Sequence, residues 1–179
     1  MHRSVIAVAL GTLLSAAPLA AQGPSQSSGD RAEVLAVAER MVEAMRVRDT
    51  AALKRLFLPG ARLVGMRTRR GAEAAHVQAL TPEQFADFVA RDTTRGTWIE
   101  RLWNPRVEVE GTLATVWAEY DFHFDTRFSH CGVDAFQLLK TAEGWRIASL
   151  ADTYRTEGCV ERPAPEGVRA QRAPTPVGP

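Results

Sequence analysis

The clearest pattern in the chain is the alternation of apolar and polar residues between Thr112 and Phe124. Successive side chains of a strand point to opposite faces, so the alternation predicts one long strand with one face on a core. The odd positions include Asp121 and His123, which we interpret as a solvated rim pair on the other face. The apolar face consists of Ala114, Val116, Ala118, Tyr120, Phe122 and Phe124.

Other segments with the composition of strands lie on both sides of this one. Glu110 and Gly111 predict a hairpin turn before it, and a loop through Ser129 and His130 follows it. Pro105 cannot donate to a ladder of hydrogen bonds, so we expect a bulge or an edge position there. The predicted strands are Ala61–Thr68, His76–Leu80, Trp98–Val109, Gly132–Lys140 and Trp145–Tyr154.

Three helical patterns precede the long strands. Apolar residues recur at steps of three and four after Asp30, and Glu33 completes the pattern of a capping box. Thr81, Pro82 and Gln84 are typical of a capped helix start. The predicted helices run from Asp30 to about Arg48, from Asp49 to Phe57 and from Thr81 to about Arg91.

The two ends of the chain differ in composition from its middle. A basic start at Met1 to Arg3, an apolar run too short to cross a bilayer and several small residues are typical of a secretory signal peptide. We therefore expect export to a periplasmic or extracellular compartment, with cleavage near Ala21 or Gln22. The predicted division is a signal peptide over 1–22, a flexible linker over 23–29, one domain over 30–159 and a disordered Pro-rich tail over 160–179.

The charge of the chain gives no reason to expect a polyanionic partner. Removing residues 1–22 takes away Arg3 and no acid, which leaves 21 basic and 21 acidic side chains. The one basic concentration, residues 67–70, has no interleaved aromatics and no helix start behind it, so we interpret it as a solvated turn. We expect no nucleic-acid partner, and no membrane association after signal cleavage.

The order of these elements resembles the nuclear transport factor 2-like superfamily, including its SnoaL-like members. The segments that carry the resemblance are Val116-Trp117-Ala118-Glu119-Tyr120, Phe136-Gln137-Leu138-Leu139-Lys140 and Gly144-Trp145-Arg146-Ile147, within a match over Asp30 to Tyr154. It implies an α+β fold in which a curved antiparallel sheet forms a cone, with three helices from the N-terminal half across its mouth. The superfamily spans isomerases, dehydratases, cyclases and ligand binders, so the fold assigns no reaction.

The resemblance places a pocket inside the cone, so a functional residue should be polar or aromatic and point inward. Tyr120 lies on the apolar face and carries a hydroxyl that needs a partner once buried. The alternative is a core tyrosine bonded to backbone or water. Tyr120, Phe122 and Phe136 are the predicted ligand contacts.

Asp134 and Asp152 each interrupt an otherwise apolar strand. A three-residue loop at Ala142–Gly144 would place them directly opposite each other. Two carboxylates that close in a low-dielectric pocket would share a proton, giving one acid and one base. With Tyr120, they are the candidate catalytic residues.

A different hairpin loop leads to the opposite prediction. If the loop has four residues and Lys140 faces Trp145, the slip of one residue sends Asp134 and Asp152 to opposite faces. The two aspartates would then bind backbone amides or arginines, with Arg155 as a near candidate.

Cys131 and Cys159 are the only cysteines, and an exported chain with two cysteines favours a disulfide between them. A Cys131 nucleophile beside His130 is the alternative, but neighbouring strand residues point to opposite faces. His76 and His130 lack neighbours at ligand spacing, so we expect no metal site.

Three functions are open at this point. The first is a cavity that binds a small, largely hydrophobic molecule without a tightly held cofactor. The second is an acid-base enzyme (isomerase, dehydratase or cyclase) that uses Asp134 or Asp152 with Tyr120. The third is an interaction protein that forms a homodimer through its sheet and has no used pocket.

Overall fold

The structure is a computed structural model that describes residues 24–67, 76–92 and 96–165. The predicted signal peptide, most of the basic turn and the end of the Pro-rich tail lie outside the described residues. Within these ranges, no helix combines the length and apolarity that a membrane span requires. The elements are α1 (Pro24–Arg46), α2 (Thr50–Leu56), β1 (Phe57–Arg67), β2 (His76–Leu80), α3 (Pro82–Arg91), β3 (Trp98–Glu110), β4 (Leu113–Phe124), β5 (Arg127–Thr141) and β6 (Gly144–Asp152).

Two helices begin as their capping residues predict, and one does not. The Asp49 carboxylate caps α2 by accepting from the Ala52 amide, and Thr81 with Gln84 forms the capping box of α3. Helix α1 starts at Pro24, so residues predicted as a linker are helical and Asp30 is not a cap. Its carboxylate instead accepts from Lys140 Nζ at 2.5 Å and from the Trp145 indole at 3.4 Å, which ties α1 to the β5–β6 hairpin.

The six strands form one open, curved sheet in the order β2-β1-β6-β5-β4-β3. All neighbours are antiparallel except β1 and β6, which run parallel, so the sheet is mixed where the sequence predicts an antiparallel one. The α+β cone of the predicted fold class is confirmed. Strand β3 lies at an edge and has its register shift between Trp103 and Arg106, as Pro105 predicts.

The core lies between the concave face of the sheet and the three helices. The even positions of β4 from Ala114 to Phe122 are buried, as their alternation predicts. Trp145 and Ile147 of β6 are only 4% and 0% exposed, which agrees with a sheet rolled around the helices. The other large, fully buried side chains of this core include Val34, Met41, Leu53, Val89, Val116, Phe136 and Leu138.

The hairpin between β5 and β6 has a shorter loop than either prediction. Thr141 faces Gly144 across a two-residue turn, and Lys140 faces Trp145. Taken alone, this register matches the alternative that sends Asp134 and Asp152 to opposite faces.

A bulge further along the hairpin reverses that outcome. Leu138 pairs with Ile147 and Gln137 pairs with Ser149, so Ala148 has no partner on β5. The extra residue advances the register by one, and Asp134 then lies opposite Asp152. The predicted juxtaposition is therefore formed, although the predicted loop length is wrong.

The outer face of β4 is covered where we expect a solvated rim. Asp121 and His123 are only 4% and 3% exposed. Arg101 of β3 binds the Asp121 carboxylate through two nitrogens at 2.6 and 2.8 Å and donates to the Pro163 carbonyl at 2.8 Å. The chain after β6 thus crosses this face, and the rim interpretation is wrong because part of the predicted tail packs there.

A disulfide joins Cys131 of β5 to Cys159, as predicted. Arg155 and Cys131 exchange two backbone hydrogen bonds of 3.0 Å each, so the segment after β6 is held beside β5. His130 also lies on β5, which begins at Arg127, and the loop predicted around it is absent.

We expect removal of the disulfide to destabilise the fold without abolishing its topology. The bond closes a loop of 28 residues, and restricting the unfolded chain in this way is worth about 3 to 4 kcal/mol. The double variant Cys131→Ser/Cys159→Ser should lose that much free energy of unfolding in a urea titration. An oxidised wild type and a reduced wild type with the same urea midpoint would contradict this expectation.

Candidate functional site

A cavity of about 480 Å³ opens between the concave face of the sheet and helices α1 and α3. Its size falls in the range of pockets that hold small ligands. Its walls are largely aromatic, with Phe85, Phe88, Trp98, Tyr120, Phe122, Phe124, His130 and Tyr154. Its polar lining consists of Arg67, His76, Gln78, Asp92, Glu100, Ser129, Asp134 and Asp152.

The register of the sheet places several of these polar residues on inward positions of neighbouring strands. Asp152 of β6 lies between Asp134 of β5 and Gly65 of β1. A Cβ atom on Gly65 would stand 2.2 Å from Asp152 Oδ1, so the glycine leaves the space that this carboxylate occupies. The Arg67 guanidinium donates to Asp152 Oδ2 at 2.5 Å. Burial raises the pKa of Asp152, and Arg67 opposes that rise.

Asp134 meets a second acid that the sequence analysis did not identify. A hydrogen bond joins the carboxyl groups of Asp134 and Glu100, a residue of β3. Two carboxyl groups can bond in this way only when one of them carries a proton. Glu100 Oε1 and Asp134 Oδ2 are buried, and apart from the bond between the two carboxyl groups they have no hydrogen-bond partner among the described residues. We call these two residues the carboxyl pair.

The pKa of each member of the carboxyl pair is raised. Burial is the main cause for Glu100, whose pKa rises to about 8, and the charges of Asp152 and Asp121 add to it. Burial again comes first for Asp134, followed by the charges of Glu100 and Asp152. The pair therefore holds a proton under conditions in which ordinary carboxyl groups are ionised.

The signal that could have identified Glu100 is its position in β3. It lies between Trp98 and Leu102 on the face that packs towards the core, so an acid interrupts an apolar face just as Asp134 and Asp152 do. The proline and the irregular alternation of β3 obscured that face in the sequence.

Tyr120 lines the cavity with its ring, and its hydroxyl is already bonded. The hydroxyl donates to the Thr153 carbonyl at 2.7 Å, which is the backbone-bonded alternative of the sequence analysis. Gly132 lies opposite on β5, where a Cβ atom would stand 2.7 Å from the Tyr120 ring. Burial, reinforced by Glu100 and Asp134, raises the pKa of Tyr120, so the phenol stays neutral.

Three rings form a stack at one wall of the cavity. His130 lies between Phe122 and Tyr154. The centroid of its ring is 4.8 Å from that of Phe122, with 19° between the ring planes, and 4.2 Å from that of Tyr154, with 26° between the planes. Burial, with a smaller effect of Arg67, lowers the pKa of His130 to about 4, so its imidazole is neutral at physiological pH. Phe122 lines the cavity, and its contact with a ligand stays a prediction, whereas Phe136 is 1% exposed, does not line the cavity and belongs to the core.

The arrangement can hold a flat molecule and exchange a proton with it. Aromatic faces contribute dispersion and stacking, and the carboxyl pair offers both an acid and a base to whatever lies against it. In the described ranges, no group of three or more His, Cys, Asp or Glu side chains is placed to hold a metal ion.

The family model described as "Putative lumazine-binding" matches residues 29–152, which is most of the chain. The chain belongs to this family. Like the solved structures described below, the family has the nuclear transport factor 2-like fold that the sequence resembles. A comparison with curated proteins gives no significant match.

Many solved structures share the fold. An NTF-2 like protein of unknown function from Silicibacter pomeroyi is 23% identical, with 72% of this chain and 98% of that chain covered and a TM-score of 0.56. A protein of unknown function with a cystatin-like fold from Nostoc punctiforme is 13% identical, with 73% and 94% covered and a TM-score of 0.58. An NTF2-like "putative dehydratase" from Streptomyces avermitilis is 14% identical, with 73% and 99% covered and a TM-score of 0.55.

The raised pKa of Glu100 should make stability depend on pH. Between pH 4.5 and about 8, Glu100 keeps a proton in the folded protein that it has lost in the unfolded chain. Because the folded state binds more protons there, the free energy of unfolding falls as pH rises across this window. The Glu100→Gln variant has no titratable group at this position, so its free energy of unfolding should fall less steeply as pH rises.

Urea unfolding across the same pH window measures this difference. Glu119→Gln is the matched control, because Glu119 lies on the outer face of β4 and pairs with Arg162. Parallel curves for wild type and Glu100→Gln would show that Glu100 is ionised in the folded protein.

Proposed function

We propose that this protein binds a small planar molecule in its cavity, with the molecule's faces against the aromatic walls and its polar edge against the carboxyl pair. The observation that carries the proposal is the open cavity of about 480 Å³, whose walls are largely aromatic and whose polar lining includes Glu100, Asp134 and Asp152. Ligand sites typically combine apolar walls with a few polar groups that fix orientation. The family description points to the same class of ligand.

The polar lining changes one part of the earlier expectation. The sequence predicts a largely hydrophobic ligand, but Arg67, Glu100, Asp134 and Asp152 all line the cavity. A purely hydrophobic molecule would leave these groups desolvated without new partners, which is unfavourable. An amphipathic ligand, apolar on its faces and polar on its edge, is the better fit.

The open cavity also supports a used pocket over the interaction-only alternative. A cone filled by side chains would favour a protein that acts through its outer surface alone. Homodimer formation through the sheet stays a prediction.

We expect a ligand to accompany the protein and to depend on Phe122. Native mass spectrometry of the full chain expressed in and purified from its own source should show a bound small molecule. Phe122→Leu should lose most of it, because that ring forms part of the cavity wall.

Phe128→Leu is the matched control for this experiment. Phe128 is 43% exposed and contacts His123 on the outer face, so its loss should leave the ligand in place. A protein that carries no small molecule and is not stabilised against heat by any of a panel of planar heteroaromatic compounds would refute the proposal.

The carboxyl pair favours a second candidate function, acid-base catalysis. Glu100 and Asp134 share a hydrogen bond and have raised pKa values, which is how active sites keep a carboxyl group able to donate or accept a proton near neutral pH. The sequence predicts Asp134 or Asp152 with Tyr120 for this role, but the Tyr120 hydroxyl is bonded to backbone and Asp152 is paired with Arg67. Glu100 with Asp134 is the arrangement that we propose instead.

Isotope exchange distinguishes catalysis from binding alone. If the pair moves protons to and from carbon, the co-purifying molecule incubated with protein in deuterated water should gain deuterium at a carbon position. Glu100→Gln should slow that exchange by about a hundredfold or more, which is typical for loss of a general acid or base. Exchange at the same rate in Glu100→Gln would exclude this role for Glu100.

We also propose that the protein is exported. The disulfide supports an oxidising compartment, since such bonds are rare in reducing ones. The mass measured for the purified protein also tests this point, because a form that begins after Ala21 or Gln22 is expected.

A further inference from the structure

Arg67 leaves the basic turn that the sequence predicts and lies at the cavity. Leu63, Gly65 and Arg67 occupy alternate positions of β1, and all three line the cavity. A Cβ atom on Gly65 would stand 2.4 Å from Arg67 Nη1 and 2.2 Å from Asp152 Oδ1, so the two charged groups lie over this glycine. The interpretation of a solvated turn is therefore wrong for Arg67, and residues 68–70 lie outside the described residues.

Three contacts hold the Arg67 guanidinium in place. Nη2 donates to Asp152 Oδ2 at 2.5 Å, and Nη1 donates to the Met66 carbonyl at 3.1 Å. The guanidinium carbon lies 5.7 Å from the centroid of the Tyr154 ring, which is within the range of a cation–π contact. A guanidinium that is already fixed loses little conformational entropy when it binds a further partner.

The same guanidinium keeps donors for another acceptor. It carries five N–H groups, and the two hydrogen bonds above engage only two of them. No other hydrogen bond or ion pair joins Arg67 to a residue of the described ranges. Its side chain is 31% exposed and lines the cavity, so the remaining donors are open to a ligand.

Arg67 also supplies positive charge to the cavity. Among the described residues that line it, no other is a lysine or an arginine. Burial is the main cause of the pKa shifts of Glu100, Asp134, Asp152 and His130, and the charge of Arg67 acts on all four. The carboxyl pair holds a proton, which reduces the negative charge that a bound anion would meet. A ligand with one negative charge therefore suits this cavity better than a dianion such as a phosphate monoester.

We propose that Arg67 binds a carboxylate of the ligand, so that the cavity takes planar aromatic acids in preference to their neutral analogues. This inference rests on the proposed function and adds the charge of the ligand to it. The planar fork of a guanidinium matches the two oxygens of a carboxylate. Asp152 engages the guanidinium through Oδ2 alone, so Arg67 can bridge the Asp152 carboxylate and that of the ligand.

Two probes of nearly equal shape test this preference. The anion 2-naphthoate and the neutral 2-naphthamide share a planar ring system and differ in the charge of one substituent. Isothermal titration calorimetry of the full chain at neutral pH measures both affinities. Because a hydrogen bond to a charged group is worth roughly tenfold or more in affinity, we expect 2-naphthoate to bind the wild type at least about tenfold more tightly.

Removing the guanidinium should remove the preference and not binding in general. In Arg67→Gln, the ratio of the two affinities should fall to about one or below, because Asp152 then repels the anion. The double variant Arg67→Gln/Asp152→Asn should bring the ratio to about one, and it leaves no buried carboxylate without its cation if the single variant folds poorly. Arg106→Gln is the matched control, because Arg106 is exposed and lies over Trp117, away from the cavity.

The outcomes separate this inference from the proposed function. Equal binding of the two probes by the wild type would overturn the inference and leave the binding function standing. A tenfold preference that persists in both Arg67 variants would overturn it too, because another group would then recognise the charge. Weaker binding of both probes with an unchanged ratio would show that Arg67 only supports the cavity wall. Binding of neither probe would also overturn the inference, and the co-purifying molecule decides separately whether the cavity binds a ligand.

Discussion

The site depends on the pairing of β5 with β6. The turn of this hairpin sets a register that would separate Asp134 from Asp152, and the unpaired Ala148 shifts it by one residue. Both aspartates then face the cavity, next to β1 and its Arg67. Bulges are common next to functional sites because they re-aim side chains without changing the fold.

The acids that meet in the cavity are unfavourable for stability. Burying a carboxylate costs free energy that its neighbours must offset, and a well-packed apolar core would avoid the cost. The structure uses two means of reducing it. Asp152 is neutralised by Arg67, while Glu100 and Asp134 hold a proton between them. Residues kept despite such a cost are the ones most easily explained by binding or catalysis.

Much of the fold could be predicted from local patterns, because those patterns have local causes. The capping box at Thr81, the strand His76–Leu80 and the alternation of β4 are set by neighbouring residues and were found from them. The disulfide followed from cysteine number and predicted export. The parallel pairing of β1 with β6 joins distant segments, and no local pattern specifies it.

The site was less predictable because it is formed by residues from distant segments, and no local pattern specifies how those segments meet. Glu100 lies level with His130 on β5 by strand register, four residues from Asp134, so the contact between the two acids depends on the curvature of the sheet. The burial of Asp121 likewise depends on a segment that crosses the outer face, and its composition predicts disorder. Position along a strand indicates which face a residue occupies, but not what distant segment covers it.

The disulfide also constrains the wall of the cavity that His130 and Tyr154 form. Cys131 follows His130 directly, and the loop that it closes carries Tyr154, the ring stacked on that histidine. The chain around Tyr154 is therefore held in place by a covalent bond that a reducing compartment does not permit. Without the disulfide, the backbone pairing of Cys131 with Arg155 and the stack of Tyr154 on His130 would have to position this wall of the cavity alone.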